Sequence, residues 1–233
     1  TLNEINFTEK NLNDLEIEAG SNINFDSLST LMEKTGEVMF ITNSDKIGIF
    51  NIGKKTFSSA DIEFLESMSN IKDISSYSNF IYLLDPSSDQ IYKYKRSTNG
   101  FDNRQDWLEK EDSRIENAVS IAIDGSIYLL NSNGSIDKFR TGTKVMEFSI
   151  ESPSDPISSS AKIYTKPGFK YLYVSDSQKN RVALFDKISG KLAGQYTSPK
   201  FSDLKNIVVD EKEEKIYLLS GNKVFVVEME IEN

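Results

Sequence analysis

The sequence predicts an all-β fold, a β-propeller of four-stranded blades, and three observations support this prediction. An apolar run, usually centred on tyrosine, recurs five times along the 233 residues at a nearly constant spacing. A second apolar run follows each copy after a short polar turn, and Ile, Val, Tyr and Phe dominate both runs, which is typical of strands. Further apolar runs flank most of these hairpins. Each repeat of about 40 to 45 residues therefore holds four short strands, as a propeller blade does.

The second residue of each first apolar run is the anchor of the repeat. The anchors are Met39, Tyr82, Tyr128, Tyr173 and Tyr217. Successive anchors are 43, 46, 45 and 44 residues apart. A β-sandwich also contains many short strands, but it does not require one anchor at a fixed interval, so the spacing favours the propeller.

Each blade is predicted from runs that recur in the same order. The first strands are predicted at 28–32, 71–75, 119–123, 161–165 and 206–210. The second strands are predicted at 38–42, 81–85, 127–131, 172–176 and 216–220. The third strands are predicted at 47–50, 91–94, 136–139, 182–185 and 224–227. Fourth strands are predicted at 54–58, 144–150 and 192–198, whereas the second repeat has an irregular stretch, FDNRQDWL (101–108), in that place.

One domain over 1–233 is predicted, and its ring must be closed because an unpaired edge strand invites aggregation. The blades are predicted at 28–60, 71–108, 118–150, 161–198 and 205–228. The fifth repeat has no fourth strand, so we expect the N-terminal segment 2–20 to supply it, with LEIEAG (15–20) as the first candidate. The spacing also places Phe7 where a third-strand aromatic of a degenerate sixth blade would fall. Five blades are favoured, and six remain an alternative.

Composition excludes several classes of function. A formal net charge of −9 disfavours a nucleic acid partner, which needs clustered Lys and Arg. The chain contains no Cys and no His, so disulfides, thiol nucleophiles, imidazole bases and ordinary zinc or copper sites are excluded, and we expect no cofactor. No apolar run approaches the length needed to span a bilayer. The chain begins at Thr1, so we expect a part of a longer protein.

The fourth repeat carries a family resemblance. YVSDSQKNRVALFDKISGKLAGQY (173–196) resembles the NHL repeat, in which Tyr-Val-x-Asp and a short turn precede Asn-x-Arg-hydrophobic and then Phe. The matching residues are Tyr173, Val174, Asp176, Asn180, Arg181, Val182 and Phe185. Arg181 directly follows Asn180, which departs from the pattern. The third repeat has Asn131 for the aspartate, and the second keeps Asp85 but has Gln90 before Ile91.

The resemblance implies a binding or sensing module. NHL-like propellers are mostly of this kind, and in bacteria they are often the outer part of membrane-anchored signalling proteins, which slightly favours an extracytoplasmic setting here. The NHL-type lyases that resemble the peptide-amidating enzyme depend on metal-binding His, which this chain lacks. Asp176 and Arg181 are expected to form a structural ion pair across the hairpin turn. As an exposed pair it would contribute only ~0–1 kcal/mol.

Carboxylates and acidic turns are the candidates for other chemistry. Asp73, Asp124 and Asp210 fall in or just after the first strands of three blades and would be the acid and base of a glycan-active enzyme. Turn and cap roles are the favoured interpretation, because Asp favours local hydrogen bonds. DPSSD (85–89) and NSNGSID (131–137) contain oxygen ligands for calcium, but neither has the full spacing of a calcium loop, so no metal site is predicted.

Trp107, the only tryptophan, lies in the irregular stretch of the second repeat together with Arg104. Function concentrates where a loop breaks a repeat, and Trp with Arg is a typical interface pairing. The alternative is that Trp107 packs on its own blade edge. We therefore expect a non-catalytic, monomeric module that binds a protein or polymer at Trp107 and Arg104, with a glycan-active enzyme and a structural scaffold as alternatives.

Overall fold

The computed structural model describes residues 2–5, 29–41, 47–60, 62, 70–98, 100–109 and 115–229. These residues form five antiparallel sheets, four of four strands and one of five, joined by turns and three short 3-10 turns. The fold is the five-bladed, all-β propeller that the sequence predicts. The chain divides into two compact units, and the blades are described within each unit. Strand β1 (Leu2–Ile5) belongs to the fifth blade.

The unit of residues 7–116 and 141–143 contains the first two blades. Blade 1 is built from β2 (Ser29–Met32), β3 (Glu37–Ile41), β4 (Ile47–Asn51) and β5 (Thr56–Ala60). Blade 2 is built from β6 (Asp73–Tyr77), β7 (Phe80–Asp85), β8 (Gln90–Ser97), β9 (Gly100–Phe101) and β10 (Gln105–Asp106). Alternate residues of neighbouring strands face each other and form one buried core, which includes Met32, Met39, Ile49, Ile81, Leu83 and Tyr94.

The unit of residues 1–6, 117–140 and 144–233 contains the other three blades, except for Thr143 of blade 3. Blade 3 is built from β11 (Ala118–Ile123), β12 (Ile127–Asn131), β13 (Ile136–Arg140) and β14 (Thr143–Lys144). Blade 4 is built from β15 (Lys162–Tyr164), β16 (Tyr171–Asp176), β17 (Arg181–Asp186) and β18 (Leu192–Thr197). Blade 5 is built from β19 (Leu204–Val209), β20 (Lys215–Ser220), β21 (Lys223–Glu228) and β1. One core lies between blades 3 and 4 and a second between blades 4 and 5.

Strand β1 closes the fifth blade. It pairs with β21 in antiparallel register, with Leu2 opposite Val227 and Ile5 opposite Val224. The N-terminal segment thus pairs with the C-terminal blade, as predicted. The sixth-blade alternative is wrong, because residues 2–5 form the fourth strand of blade 5. The candidate LEIEAG (15–20) and Phe7 lie outside the described residues.

The predicted fourth strand of blade 3 at 144–150 is wrong in extent. Only Thr143–Lys144 forms a strand. The Val145 N–H still donates to the Lys138 carbonyl at 2.8 Å, and the chain then turns. Phe148 packs edge-on against the Tyr128 ring at 5.8 Å between centroids. The apolar residues of this run therefore fill the core between blades 3 and 4, where Phe148 and Ile150 both pack, rather than extending a ladder.

The five anchors occupy equivalent positions in their own blades. Each lies in the second strand and has one partner in the first strand and one in the third. Tyr128, for example, lies opposite Ala122 and Lys138. Met39, Tyr82, Tyr128 and Tyr173 are buried, and Tyr217 is half-buried. The repeat read from the sequence is therefore a repeat of strand register.

Candidate functional site

The outer edge of blade 2, residues 101–108, is the candidate site from the sequence. After β8 the chain turns back, and Ser97 lies opposite Gly100. The chain leaves the ladder at 102–104 and returns to pair Gln105 with Lys93. Gly100 has a φ of +148°, a conformation that an L side chain rarely adopts. The outer strand is thus split into two short pieces with an exposed segment between them.

Arg104 lies in this exposed segment and is held by two contacts. Its Nε lies 3.3 Å from an Asp106 carboxylate oxygen. Its guanidinium carbon lies 4.8 Å from the centre of the Tyr92 ring, within cation–π range. Arg104 therefore lies along the blade surface while its side chain keeps about a third of its area exposed.

Trp107 is half-buried where the chain rejoins the blade. Its backbone N–H donates to the Ile91 carbonyl at 3.0 Å. The next residue, Leu108, is buried, and its N–H donates to the Gln90 side-chain oxygen at 2.8 Å. The Gln90 side chain therefore replaces the missing ladder bond here. The backbone of Trp107 is fixed while part of its side chain stays accessible.

Asp176 and Arg181 lie opposite each other across the hairpin of blade 4. Arg181 Nη2 lies 3.2 Å from Asp176 Oδ2. Both side chains are buried, with 4% of the Arg181 area and 0% of the Asp176 area exposed. The ion pair forms as expected, but the expectation that it is exposed is wrong. A charge can be buried here because Ser158 also donates to Asp176, through its N–H at 3.1 Å and through its hydroxyl.

Arg181 also holds the segment that enters blade 4. Its Nη2 donates to the carbonyls of Asp155 and Pro156, each at 2.9 Å. Its Nη1 donates to the Gln195 side-chain oxygen at 3.1 Å in the fourth strand. The hairpin of blade 4, its outer strand and the crossing from blade 3 thus meet at one guanidinium. This geometry serves the fold and presents no open surface.

The buried anchor tyrosines differ in what their hydroxyls contact. The Tyr173 hydroxyl donates to Glu213 at 2.8 Å, and Glu213 also accepts from the N–H groups of Lys170 and Tyr171. Burial, followed by the neighbouring Glu213 carboxylate, raises the pKa of Tyr173. Burial raises the pKa of Tyr82 to about 12. These phenols are therefore protonated at neutral pH.

The three carboxylates considered for catalysis all make local hydrogen bonds. Asp73 accepts from the N–H of Ile74, and Asp124 accepts from the N–H of Ser126. Asp210 accepts from the N–H groups of Glu214 and Lys215. The bonds of Asp124 and Asp210 are those expected of turn residues, whereas Asp73 lies at the start of strand β6.

The polar side chains of the two acidic turns also form hydrogen bonds within their own turns. Asp85 accepts from the hydroxyls of Ser87 and Ser88 and from the Ser88 N–H. The Asn131 amide donates to Ser135 and to Asp137. Within the part of the chain that the structure describes, no three or more Asp and Glu residues form a group that could hold a metal ion.

Sequence reasoning did not find two ion pairs between neighbouring blades. Arg96 pairs with Glu37, and Lys187 pairs with Asp124 at 2.7 Å. The partners are 59 and 63 residues apart in the chain. Only the repeat length gives a signal, because it predicts that adjacent blades are in contact. It does not predict which charged residues meet.

The comparisons add no family to this description. No protein-family model matches the chain, and a search of curated proteins found no match. None of the helices in the described ranges is long and apolar enough to cross a membrane. The fold thus defines a class, the five-bladed β-propeller, which is commonly a binding or scaffold module.

Proposed function

We propose that this chain is a non-catalytic binding or sensing module whose ligand, a protein or polymer, contacts the outer edge of blade 2. The observation that carries this proposal is the split outer strand. Residues 102–106 are all exposed, and their backbone is fixed on both sides by pairing to β8. A rigid scaffold that displays an irregular segment is the usual arrangement of binding loops.

Arg104 and Trp107 suit such a contact. Arg104 is restrained by Asp106 and Tyr92, so little side-chain freedom is lost when it binds. Trp107 has a fixed backbone and an accessible part of its ring system. Trp and Arg are enriched among residues that dominate binding energy.

The hydrogen bonding of the candidate acids supports a non-catalytic role. Asp124 is bound to Lys187 and to the Ser126 N–H, and Asp210 to two turn N–H groups. These bonds give each carboxylate a structural partner in the absence of any substrate. A glycosidase needs a pair of carboxylates placed on either side of the scissile bond.

The finer part of the proposal is that the repeat is NHL-like and that the chain is the propeller of a larger bacterial, membrane-anchored signalling protein. It is supported by the pairing of Asp176 with Arg181 across the hairpin of blade 4. It also draws on the match of Tyr173, Val174 and Phe185 to the repeat pattern.

The single tryptophan provides the test. The chain is titrated with a panel of polysaccharides and extended peptides while Trp107 emission is recorded. At least one polymer is expected to change the emission in a saturable way. Arg104→Ala should then weaken its binding about tenfold, the size expected for a charged contact.

Lys54→Ala, a change at an exposed lysine of blade 1, is the control and should bind normally. Thermal unfolding of each variant reports whether the fold is kept. Binding to the same polymer is measured for Trp107→Ala by calorimetry, because this variant lacks the fluorophore. Binding that is unchanged in both Arg104→Ala and Trp107→Ala would contradict the proposed site. New reducing ends in the same incubations would instead identify a glycan-active enzyme.

A further inference from the structure

A group of like charges lies between blades 3 and 4, in the unit that does not contain Trp107 and Arg104. It consists of Lys138, Arg140 and Lys187 around a single carboxylate, Asp124, and is called the Lys138 cluster here. Lys138 and Arg140 are alternate residues of β13 and so share one face of the strand. Lys187 follows β17 in the neighbouring blade.

Asp124 is already neutralised by one of the three cations. Lys187 Nζ lies 2.7 Å from Asp124 Oδ2 and donates to the Lys166 carbonyl at 3.1 Å. Lys187 is 8% exposed, so this pair is part of the buried interface between the two blades. The pair leaves the charges of Lys138 and Arg140 without a compensating anion.

Lys138 is held by rings rather than by a carboxylate. Its Nζ lies 5.2 Å from the ring centres of Tyr128 and Phe148. Among the described residues no carboxylate lies within ion-pair distance of Lys138 or Arg140. Arg140 is exposed, and its Nε donates only to the Ser126 hydroxyl, at 3.3 Å.

The net charge of the Lys138 cluster is positive, whereas the net charge of the whole chain is negative. Burial, followed by the charge of Arg140, lowers the pKa of Lys138, while Asp124 raises this pKa by more than Lys187 lowers it. The chain as a whole is acidic, with a net charge of −9. Within its described part, however, this cluster has one carboxylate among three cations. Repulsion among fixed cations is relieved when an anion binds between them.

We propose that the Lys138 cluster binds a phosphate or sulfate group, with Lys138 and Arg140 as the donors. The two side chains extend from one strand face, and the positive charge of the site is theirs, because the charge of Lys187 is offset by Asp124. The planar guanidinium of Arg140 offers donors suited to a tetrahedral oxyanion. The group is either a free ion or part of a polyanionic polymer. This inference does not depend on the role proposed for Trp107.

The test uses the isotope-labelled chain and inorganic phosphate as the probe. Spectra are recorded at neutral pH during titration with sodium phosphate, against sodium chloride at matched ionic strength. Phosphate is expected to cause saturable shifts of the Arg140 Nε–H and of the Ser126 and Lys138 amides. Sodium chloride should not reproduce them. A polyphosphate arm distinguishes a polymer, which should bind at least tenfold more tightly than the free ion.

Variants distinguish a specific phosphate site from a general effect of positive charge. Lys138→Gln should weaken phosphate binding about tenfold, whereas Lys138→Arg should stay within about threefold of the native chain. Arg140→Gln, at an exposed position, tests the same site if Lys138→Gln fails to fold. Lys54→Gln makes the same charge change elsewhere and should bind normally. Shifts that follow ionic strength alone, or binding that survives both Lys138→Gln and Arg140→Gln, would overturn the proposal.

Discussion

Arg96 and Glu37 form a two-point ion pair that joins blade 1 to blade 2. Arg96 Nε donates to Glu37 Oε2, and Nη2 donates to Oε1, each at 3.0 Å. Arg96 Nη1 also donates to the Ser97 and Gly100 carbonyls, and the Thr35 hydroxyl donates to Glu37. The hydrogen bonds from Arg96 are the largest cause of a lowered pKa at Glu37. One guanidinium thus fixes both the blade contact and the turn after β8.

Glu37→Gln should therefore destabilise the chain in a pH-dependent way. The folded pKa lies below the ordinary value of 4.5, so the stabilisation is full above that pH and declines as the pH falls through the folded pKa. We expect a loss of about 1–3 kcal/mol at pH 7, since a partly buried, charge-assisted pair is removed. Urea unfolding between pH 7 and pH 3 measures the difference between native chain and variant.

Glu116→Gln is the matched control, because Glu116 is exposed in the same unit. It should change the unfolding free energy by less than about 0.5 kcal/mol. A loss at Glu37→Gln that is as large at pH 3 as at pH 7 would show that packing, and not the ion pair, is responsible.

Asp176→Asn should be far more harmful than an exposed ion pair would predict. The substitution leaves the buried Arg181 guanidinium with only the exposed Asp155 carboxylate, 4.0 Å away, and removing one partner of a buried pair costs about 3–5 kcal/mol. Denaturant unfolding at neutral pH measures the loss. Arg181→Met should cost at least as much, because it leaves the buried Asp176 carboxylate unpaired and also removes the donors to the carbonyls of Asp155 and Pro156.

Lys179→Gln is the exposed counterpart in the same hairpin. Lys179 pairs with Asp155 at 2.7 Å, but both side chains are well exposed. Its unfolding midpoint should stay close to that of the native chain. A loss at Asp176→Asn that is no larger than the loss at Lys179→Gln would contradict the assignment to a buried ion pair.

The sequence predicted the parts of the fold that depend on periodicity. Anchors such as Tyr128 and Tyr173 recur at one spacing because each blade needs the same strand register. The need for a closing strand was also predictable, since the fifth repeat lacks a fourth strand. Its location at residues 2–5 was not, because Leu2–Ile5 and LEIEAG (15–20) both fit the pattern of an edge strand.

Burial and long-range charge pairing were the parts that the sequence did not predict. Asp176 and Arg181 are polar and close to a turn, which suggests exposure, yet Ser158 from the blade crossing covers them. Lys138 and Lys187 lie in different blades, so the composition of either hairpin alone gives no sign of their proximity. For the candidate site, the irregular spacing located residues 101–108 but did not predict that Tyr92 would restrain Arg104.

Tyr173→Phe should weaken the contact between blades 4 and 5 and so destabilise the protein. The equivalent change at Tyr217 should not. The Tyr173 hydroxyl donates to Glu213, which belongs to the next blade. Without this hydroxyl, Glu213 keeps only its two backbone donors. We expect the free energy of unfolding to fall by about 1–2 kcal/mol, because one hydrogen bond to a charged group is lost. Among the described residues the Tyr217 hydroxyl has no hydrogen-bond partner. Tyr217→Phe should therefore change the unfolding free energy by less than about 0.5 kcal/mol. Equal losses in the two variants, measured by urea unfolding, would show that the Glu213 contact contributes nothing specific.

Gly190→Ala should destabilise the contact between the third and fourth blades much more than Gly168→Ala. Gly190 and Gly168 both have positive φ, at +70° and +83°, so alanine is strained by about 1–2 kcal/mol at either position. The surroundings differ. A methyl group at Gly190 would overlap the Ser149 carbonyl, while no atom lies within 4 Å of the corresponding position at Gly168. The Gly190 carbonyl also accepts from the Glu151 N–H at 2.8 Å, so a shift of the turn would break a contact between the blades. We expect a further loss of about 1–3 kcal/mol at Gly190 alone, the usual range for overpacking. Thermal and urea unfolding of the two variants provide the comparison, and equal losses would mean that the 186–191 turn moves freely away from Ser149.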